Sequence, residues 1–148
     1  MPNKQIQEER IKGYFITAAM EIIRAEGLQA ASARTIAERA GYSYATIYNY
    51  FKDISDLIFN AVGLFMRECT DFVTENSSKE LSGEDKIKEI SKSYAKYFLQ
   101  YPAIFALLFT ENPMNIGAKA SNHQQIENLF DNIVKNIIAD QFDQTRLI

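Results

Sequence analysis

From Ile6 to Glu26 the apolar residues Ile11, Phe15, Ala18, Ala19, Ile22 and Ile23 recur at three-and-four spacing, which predicts a helix with one buried face. Residues 1–5 read as a frayed tail ahead of it. Gly27 ends the helix and Leu28 folds back onto it, because glycine reaches the left-handed conformation that stops a helix without a Cβ clash. Two shorter patterns follow, Ile36, Ala37 and Ala40 and then Ile47 and Phe51, separated by Ala40-Gly41-Tyr42-Ser43. Gly41 stops one helix. Ser43, whose hydroxyl is placed to accept from a free backbone N–H two or three residues on, starts the next, which is expected to run to Lys52. Helices joined this tightly cannot lie antiparallel, so they cross steeply in the helix-turn-helix arrangement and the second stands out from the body.

Asp53, with Asp56 three residues on, opens a long fourth helix in capping-box fashion. Leu57, Ile58, Ala61, Val62, Phe65, Cys69, Phe72 and Val73 carry its buried face to about Glu75. Asn76 to Gly83 is a polar loop. Ser82-x-x-Asp85 opens a fifth helix that Pro102 breaks after Tyr101, with Ile87, Ile90, Tyr94, Phe98 and Tyr101 on one side and Tyr97 adjacent. Ala103 to Asn112 is apolar all round apart from its end and is expected to be a buried short helix. After a loop at Pro113 to Ser121, Asn122-x-x-Gln125 caps a last helix striped with Ile126, Leu129, Phe130, Ile133, Val134, Ile137 and Ile138. So broad a stripe wants a partner. The expected fold class is all-α: a three-helix helix-turn-helix head over residues 1–53, followed over 54–148 by a helical body for ligand binding and dimerisation.

With Ile47 and Phe51 turned inward, helical geometry sends Tyr44, Ala45, Tyr48 and Asn49 outward, with Thr46 and Tyr50 at the flanks. Tyrosine donates to phosphate, asparagine pairs with an adenine edge, and a small alanine admits a thymine methyl. Packing of the tyrosines on a neighbouring helix is the competing reading. The run Arg34-x-Ile36-Ala37-x-x-Ala40-Gly41-x-Ser43-x-x-Thr46-Ile47-Tyr48-x-Tyr50-Phe51-x-x-x-x-Asp56-Leu57 resembles the DNA-binding signature of the TetR/AcrR transcriptional regulators, and the match reaches back to Ala18-Ala19 and Gly27. The resemblance implies that Tyr48 and Lys52 hold the phosphate backbone, that Ser43, Tyr44, Ala45 and Thr46 form the groove-facing start of the recognition helix, and that Arg34 lies near the backbone. Three positions depart from the pattern: Tyr44 stands where lysine or arginine is common, Tyr50 where histidine is common, and Ile54 where many members place a lysine on phosphate.

Composition changes this picture little. Of 148 residues, 47% are hydrophobic, enough for a real core, and six glycines and three prolines leave helices uninterrupted. The lone cysteine, Cys69, excludes an internal disulfide and falls on a buried face, which makes it core rather than sensor. No signal peptide is read at the N-terminus, and the longest apolar run, Ala103 to Phe109, is far short of the ~20 residues of a membrane span. A cytoplasmic protein is expected. Net charge is −3, but residues 1–56 hold seven Lys/Arg and seven Asp/Glu, so the acidity belongs to the body. A neutral head gives weak non-specific attraction to DNA and leaves binding to local placement. One histidine, His123, with no second histidine or cysteine and no glycine-rich phosphate loop, argues against an enzyme, a metal site or a cofactor.

Phe65, Cys69, Phe72, Tyr94, Tyr97, Phe98, Tyr101, Phe105 and Phe109 are the candidates to line an effector pocket, with simple core packing as the alternative. The phrase Tyr97-Phe98-x-x-Tyr101-Pro102-Ala103-x-Phe105-x-Leu107-x-Phe109 resembles a body motif of one branch of the same family. The family resemblance further implies that the fourth helix is the lever between effector and head. It also implies a dimer built on the last helices, here through Phe130, Ile133, Val134, Ile137 and Ile138, although many members carry a further helix after this point. Because one recognition helix reads too few base pairs, a homodimer on a near-palindromic operator is expected. The expected function is a ligand-responsive regulator, a repressor released by a small apolar or aromatic molecule. The alternative is a helical ligand-binding or interaction protein that no longer reads sequence.

Overall fold

The structure is a computed structural model that describes residues 2–111. Among them the elements are six α-helices, a 3₁₀ turn and a π turn, with no strand. The expected last helix, with the dimer candidates Phe130, Ile133, Val134, Ile137 and Ile138, and His123 lie outside the described residues.

Helix α1 runs Pro2–Glu26, so the expected frayed tail is already helical. Its inward face is the one the spacing predicts: Phe15, Ala18, Ala19, Ile22 and Ile23 are all buried, while Ile11 is half-buried. Gly27, at φ 90°, closes the helix by donating to the Ile23 carbonyl at 2.9 Å, and a 3₁₀ turn, Leu28–Ala30, leads on. Helix α2, Ala33–Ala40, begins at a capping box that the sequence reading passed over. The Ser32 hydroxyl accepts from the Thr35 N–H at 3.2 Å and the Thr35 hydroxyl accepts from the Ser32 N–H at 3.0 Å. Threonine replaces the usual Glu or Gln, which hid the signature. Helix α3, Tyr44–Ile47, and helix α4, Ile54–Glu75, complete the head and lead away from it.

The described chain forms two compact units, one of residues 2–65 with 101–111 and one of 66–100. In the first, α1 is the platform against which α2 and helix α6, Pro102–Phe105, both pack. Ile36, Ala37, Ile47, Leu57, Ile58, Ala61, Phe65, Ile104 and Leu107 join the α1 face in its core. The stretch expected to be a buried helix from Ala103 to Asn112 is instead α6 followed by a π turn, Ala106–Thr110, in which the Glu111 N–H reaches the Ala106 carbonyl at 2.7 Å. Its apolar residues divide between two sides: Ile104 and Leu107 are fully buried, whereas Phe105 and Phe109 are about half exposed, their rings 5.0 Å apart. A residue apolar on every side does not specify which side is covered.

In the second unit, helix α5, Gly83–Gln100, starts with Gly83 at φ 60°. Its buried residues are Ser93 and Tyr97, and Ile87 is 58% exposed, so the covered stripe is centred on Tyr97 rather than on the side that begins at Ile87. The preceding loop is tied to α5 by the Ser78 N–H on Glu89 at 3.0 Å and by Lys86, whose ammonium donates to the Ser78 carbonyl. Among the described residues no helix is long and apolar enough to cross a membrane.

Candidate nucleic-acid interface

The link between α2 and α3 is set by Gly41. At φ 83° and ψ 27° it is left-handed, its N–H directed at the Ala37 and Glu38 carbonyls, and the Tyr42 N–H returns to the Ala37 carbonyl at 2.9 Å. These are the bonds of a Schellman stop. A Cβ on Gly41 meets nothing within 4 Å, so glycine is required by the backbone angle alone.

Helix α3 starts at Tyr44, as expected, but differs from expectation at both ends. Ser43 caps no backbone N–H with its side chain; its hydroxyl pairs with the Thr46 hydroxyl at 2.9 Å, and the Thr46 N–H goes to the Ser43 carbonyl. The helix stops at Ile47 instead of continuing to Lys52. Asn49 and Tyr50 donate to the carbonyls of Thr46 and Ile47, three residues back, at 3.1 and 3.0 Å. That tightening of the chain uses orphan carbonyls at the end of a one-turn helix. The chain then enters α4 through Asp53, whose carboxylate accepts from the Asp56 N–H at 2.9 Å, while the Asp56 carboxylate reaches the Lys52 N–H at 3.1 Å. The reciprocal bond thus lands one residue earlier than a capping box requires.

What faces outward survives the shortening. Tyr44, Ala45, Tyr48 and Asn49 are exposed, the tyrosines by 57% and 51%, and Thr46 is half-buried at the flank. Ile47 and Phe51 are buried behind them. Ser43, Arg34 and Lys52 are exposed. Tyr50 is half-buried, its ring 6.2 Å from that of Phe15. Phe15 also meets Tyr42 at 5.3 Å and Phe51 at 6.3 Å, so one fully buried α1 side chain seats three aromatics of the reading segment. Tyr42 was missed as a positioning residue, because a residue in a turn carries no periodic signal. Arg39 pairs with Glu21 of α1 at 3.6 Å, both well exposed, a contact that contributes little to stability.

Residues 15–61, which span this assembly, match the family of bacterial regulatory proteins described as the tetR family. That match covers about a third of the chain, the helix-turn-helix and the start of α4. Among its relatives, the HTH-type transcriptional regulator PksA of Bacillus subtilis is 30% identical over 87 residues, which are 59% of this chain and 42% of PksA. The chain thus matches less than half the length of that relative. The HTH-type transcriptional regulator LuxR of Vibrio harveyi is 20% identical over 99% of this chain and 76% of its own. In fold, the chain is similar to a TetR family transcription regulator from Marinobacter aquaeolei, with a TM-score of 0.61 and 18% identity, over 95% of this chain and 70% of that one.

The aromatic candidates for an effector pocket fall into both units. In the second, Tyr97 donates its hydroxyl to Glu68 at 2.9 Å and its ring lies 5.5 Å from Phe72 and from Phe98, with Tyr94 stacked on Phe98 at 6.4 Å. Cys69 is buried beside them, and burial, helped by the Glu68 charge, pushes its thiol up from 9.0 to about 12. Burial also raises Tyr94, with the Cys69 charge adding and a hydrogen bond with Thr70 opposing. In the first unit, Phe65 is in the core, Tyr101 is half-buried, and Phe105 and Phe109 pair. Among the described residues no three His, Cys, Asp or Glu gather as a metal site.

The Cys69 shift has a measurable sign. The fold favours the protonated thiol, so its contribution to stability is complete below about pH 9 and is lost as pH rises from 9.0 towards about 12. A disulfide reagent at pH 8 is expected to label native Cys69 far more slowly than the urea-unfolded chain; equal rates would place the thiol in solvent.

Proposed function

We propose that the chain is a transcriptional regulator that binds a near-palindromic DNA operator as a homodimer, and that a small apolar or aromatic effector releases it. The carrying observation is the joint exposure of Tyr44, Ala45, Tyr48 and Asn49 in front of buried Ile47 and Phe51. Tyr44 on α3 and Tyr48 just after it are half-exposed among the described residues, which favours DNA over packing on a neighbouring helix. In this reading residues 1–53 are the DNA-reading head and 54–148 the responding and dimerising body. Tyr48 and Lys52 would hold the backbone with Arg34 near it, with Ser43, Tyr44, Ala45, Thr46 and Asn49 facing the groove and Tyr50 at the edge. The charge-balanced head supports a shallow salt dependence, with specificity supplied by hydrogen bonds rather than by counterion release. The effector contacts would come from the body aromatics Phe72, Tyr94, Tyr97 and Phe98 with Cys69, or from Phe65, Tyr101, Phe105 and Phe109.

The test is a fluorescence-anisotropy titration of the protein against duplex DNA from upstream of its own gene, beside a scrambled duplex at the same salt. Tight binding to the first alone, at two chains per duplex, is expected. Equal and weak binding to both, repeated with duplexes enriched from a random-sequence library, would leave a helical ligand-binding protein as the better reading.

A further inference from the structure

The guanidinium of Arg24 lies between two aromatic rings of the first unit, 5.4 Å from the centroid of Phe65 on α4 and 4.9 Å from that of Tyr101, the residue before α6. We propose that this sandwich makes Arg24 a positioning residue for DNA reading, one that fixes the last turn of α1 against α4 and α6 and so sets the orientation of the recognition turn without touching DNA. The inference rests on the DNA-binding reading above and goes beyond it in assigning transmission to α1, whereas the family resemblance assigns it to tilting of α4.

Three observations support it. Arg24 is in the last turn of α1, three residues before Gly27, where the chain turns through Leu28–Ala30 to the Ser32 cap of α2. The same helix carries Phe15, which seats Tyr42, Tyr50 and Phe51. Nine residues of α-helix separate the two grips by roughly 14 Å, a stiff rod with the reading segment at one end and the sandwich at the other. Second, the sandwich is preorganised on both sides. Phe65 is fully buried, and Tyr101 precedes Pro102, which keeps its backbone out of the helical conformation, here φ −128° and ψ 70°. Third, α6 packs on α1 and continues directly into the π turn Ala106–Thr110. A π turn holds one residue more than an α turn and occurs frequently at functional sites. A register change there would move Tyr101 on the guanidinium, and α1 would carry the movement to the head.

The experiment compares the full-length wild type with Arg24→Met, Tyr101→Leu, their double variant and Arg24→Lys. The probe is the tightest duplex that the wild type enriches from a random-sequence library, titrated over a range of salt concentrations. Arg24→Met and Tyr101→Leu are each expected to weaken binding about ten-fold, the scale of losing a partly desolvated cation–π contact. The double variant should lose no more than Arg24→Met alone, because that change already removes the contact with Tyr101. The salt slope should stay at the wild-type value, since no phosphate contact is removed. Arg24→Lys, which keeps a cation over the rings, should recover much of the loss. Wild-type affinity in Arg24→Met, additive losses in the double variant, or a salt slope reduced by about one would overturn the assignment. Amide exchange of residues 42–51 without DNA gives an independent reading. Faster exchange there in Tyr101→Leu is expected, and unchanged exchange in both single variants would sink the proposal. If the wild type enriches no duplex, the DNA-binding reading fails while the exchange measurement still decides whether the sandwich positions the turn.

Discussion

Replacing Phe15 by alanine is expected to destabilise the first compact unit by about 3–5 kcal/mol. Phe15 is fully buried, and the rings of Tyr42, Tyr50 and Phe51 surround it at 5.3–6.3 Å. Removing the ring loses its own transfer free energy and leaves a cavity that three aromatics, each fixed by a short and hydrogen-bonded backbone, cannot collapse to fill. The loss is a large fraction of the ~5–15 kcal/mol that holds a domain folded. DNA affinity should fall with stability, because Tyr42, Tyr50 and Phe51 bracket the outward-facing residues. Phe15→Leu, which keeps most of the volume, should cost less than about 2 kcal/mol. Urea unfolding monitored by amide exchange in the head measures both variants. A loss below about 1 kcal/mol for Phe15→Ala would show that the aromatic cluster does not hold the reading segment.

The second large effect is on sequence preference. Asn49→Ala and Tyr44→Ala are each expected to change the ranking of operator variants, with about 1–3 kcal/mol of discrimination lost at the base pair each one reads. Tyr48→Phe removes only the hydroxyl that the proposed reading assigns to the DNA backbone. It should weaken binding to every duplex by a similar factor. Competition of the variants against a set of single-base operator changes separates the two behaviours. An unchanged ranking in both Asn49→Ala and Tyr44→Ala would mean that this side of α3 does not face the bases. A re-ranking by Tyr48→Phe would instead move Tyr48 from backbone to base.

The sequence by itself determined where α1 and α2 stop and which side of α1 and of the reading segment is covered. Gly27 and Gly41 end helices at positive φ because other residues pay for that angle, a local rule that needs no partner. The buried α1 face and the exposed set Tyr44, Ala45, Tyr48 and Asn49 follow from a period of 3.6 residues. That was enough to place the candidate interface. Periodicity does not say which side chain a covered residue meets, and there the tertiary structure decided. It turned Tyr50 partly inward onto Phe15 and gave Tyr42 a positioning role. It split the apolar run after Pro102 into a covered side and a half-exposed side. It also placed two of the expected pocket residues, Phe65 and Tyr101, on the guanidinium of Arg24, a polar residue to which a hydrophobic pattern gives no weight. The end of α3 was likewise beyond local reading. Its residues are compatible with a longer helix, and the choice of a tightened turn after one helical turn coincides with burying Phe51 against Phe15, a contact between residues far apart in the chain.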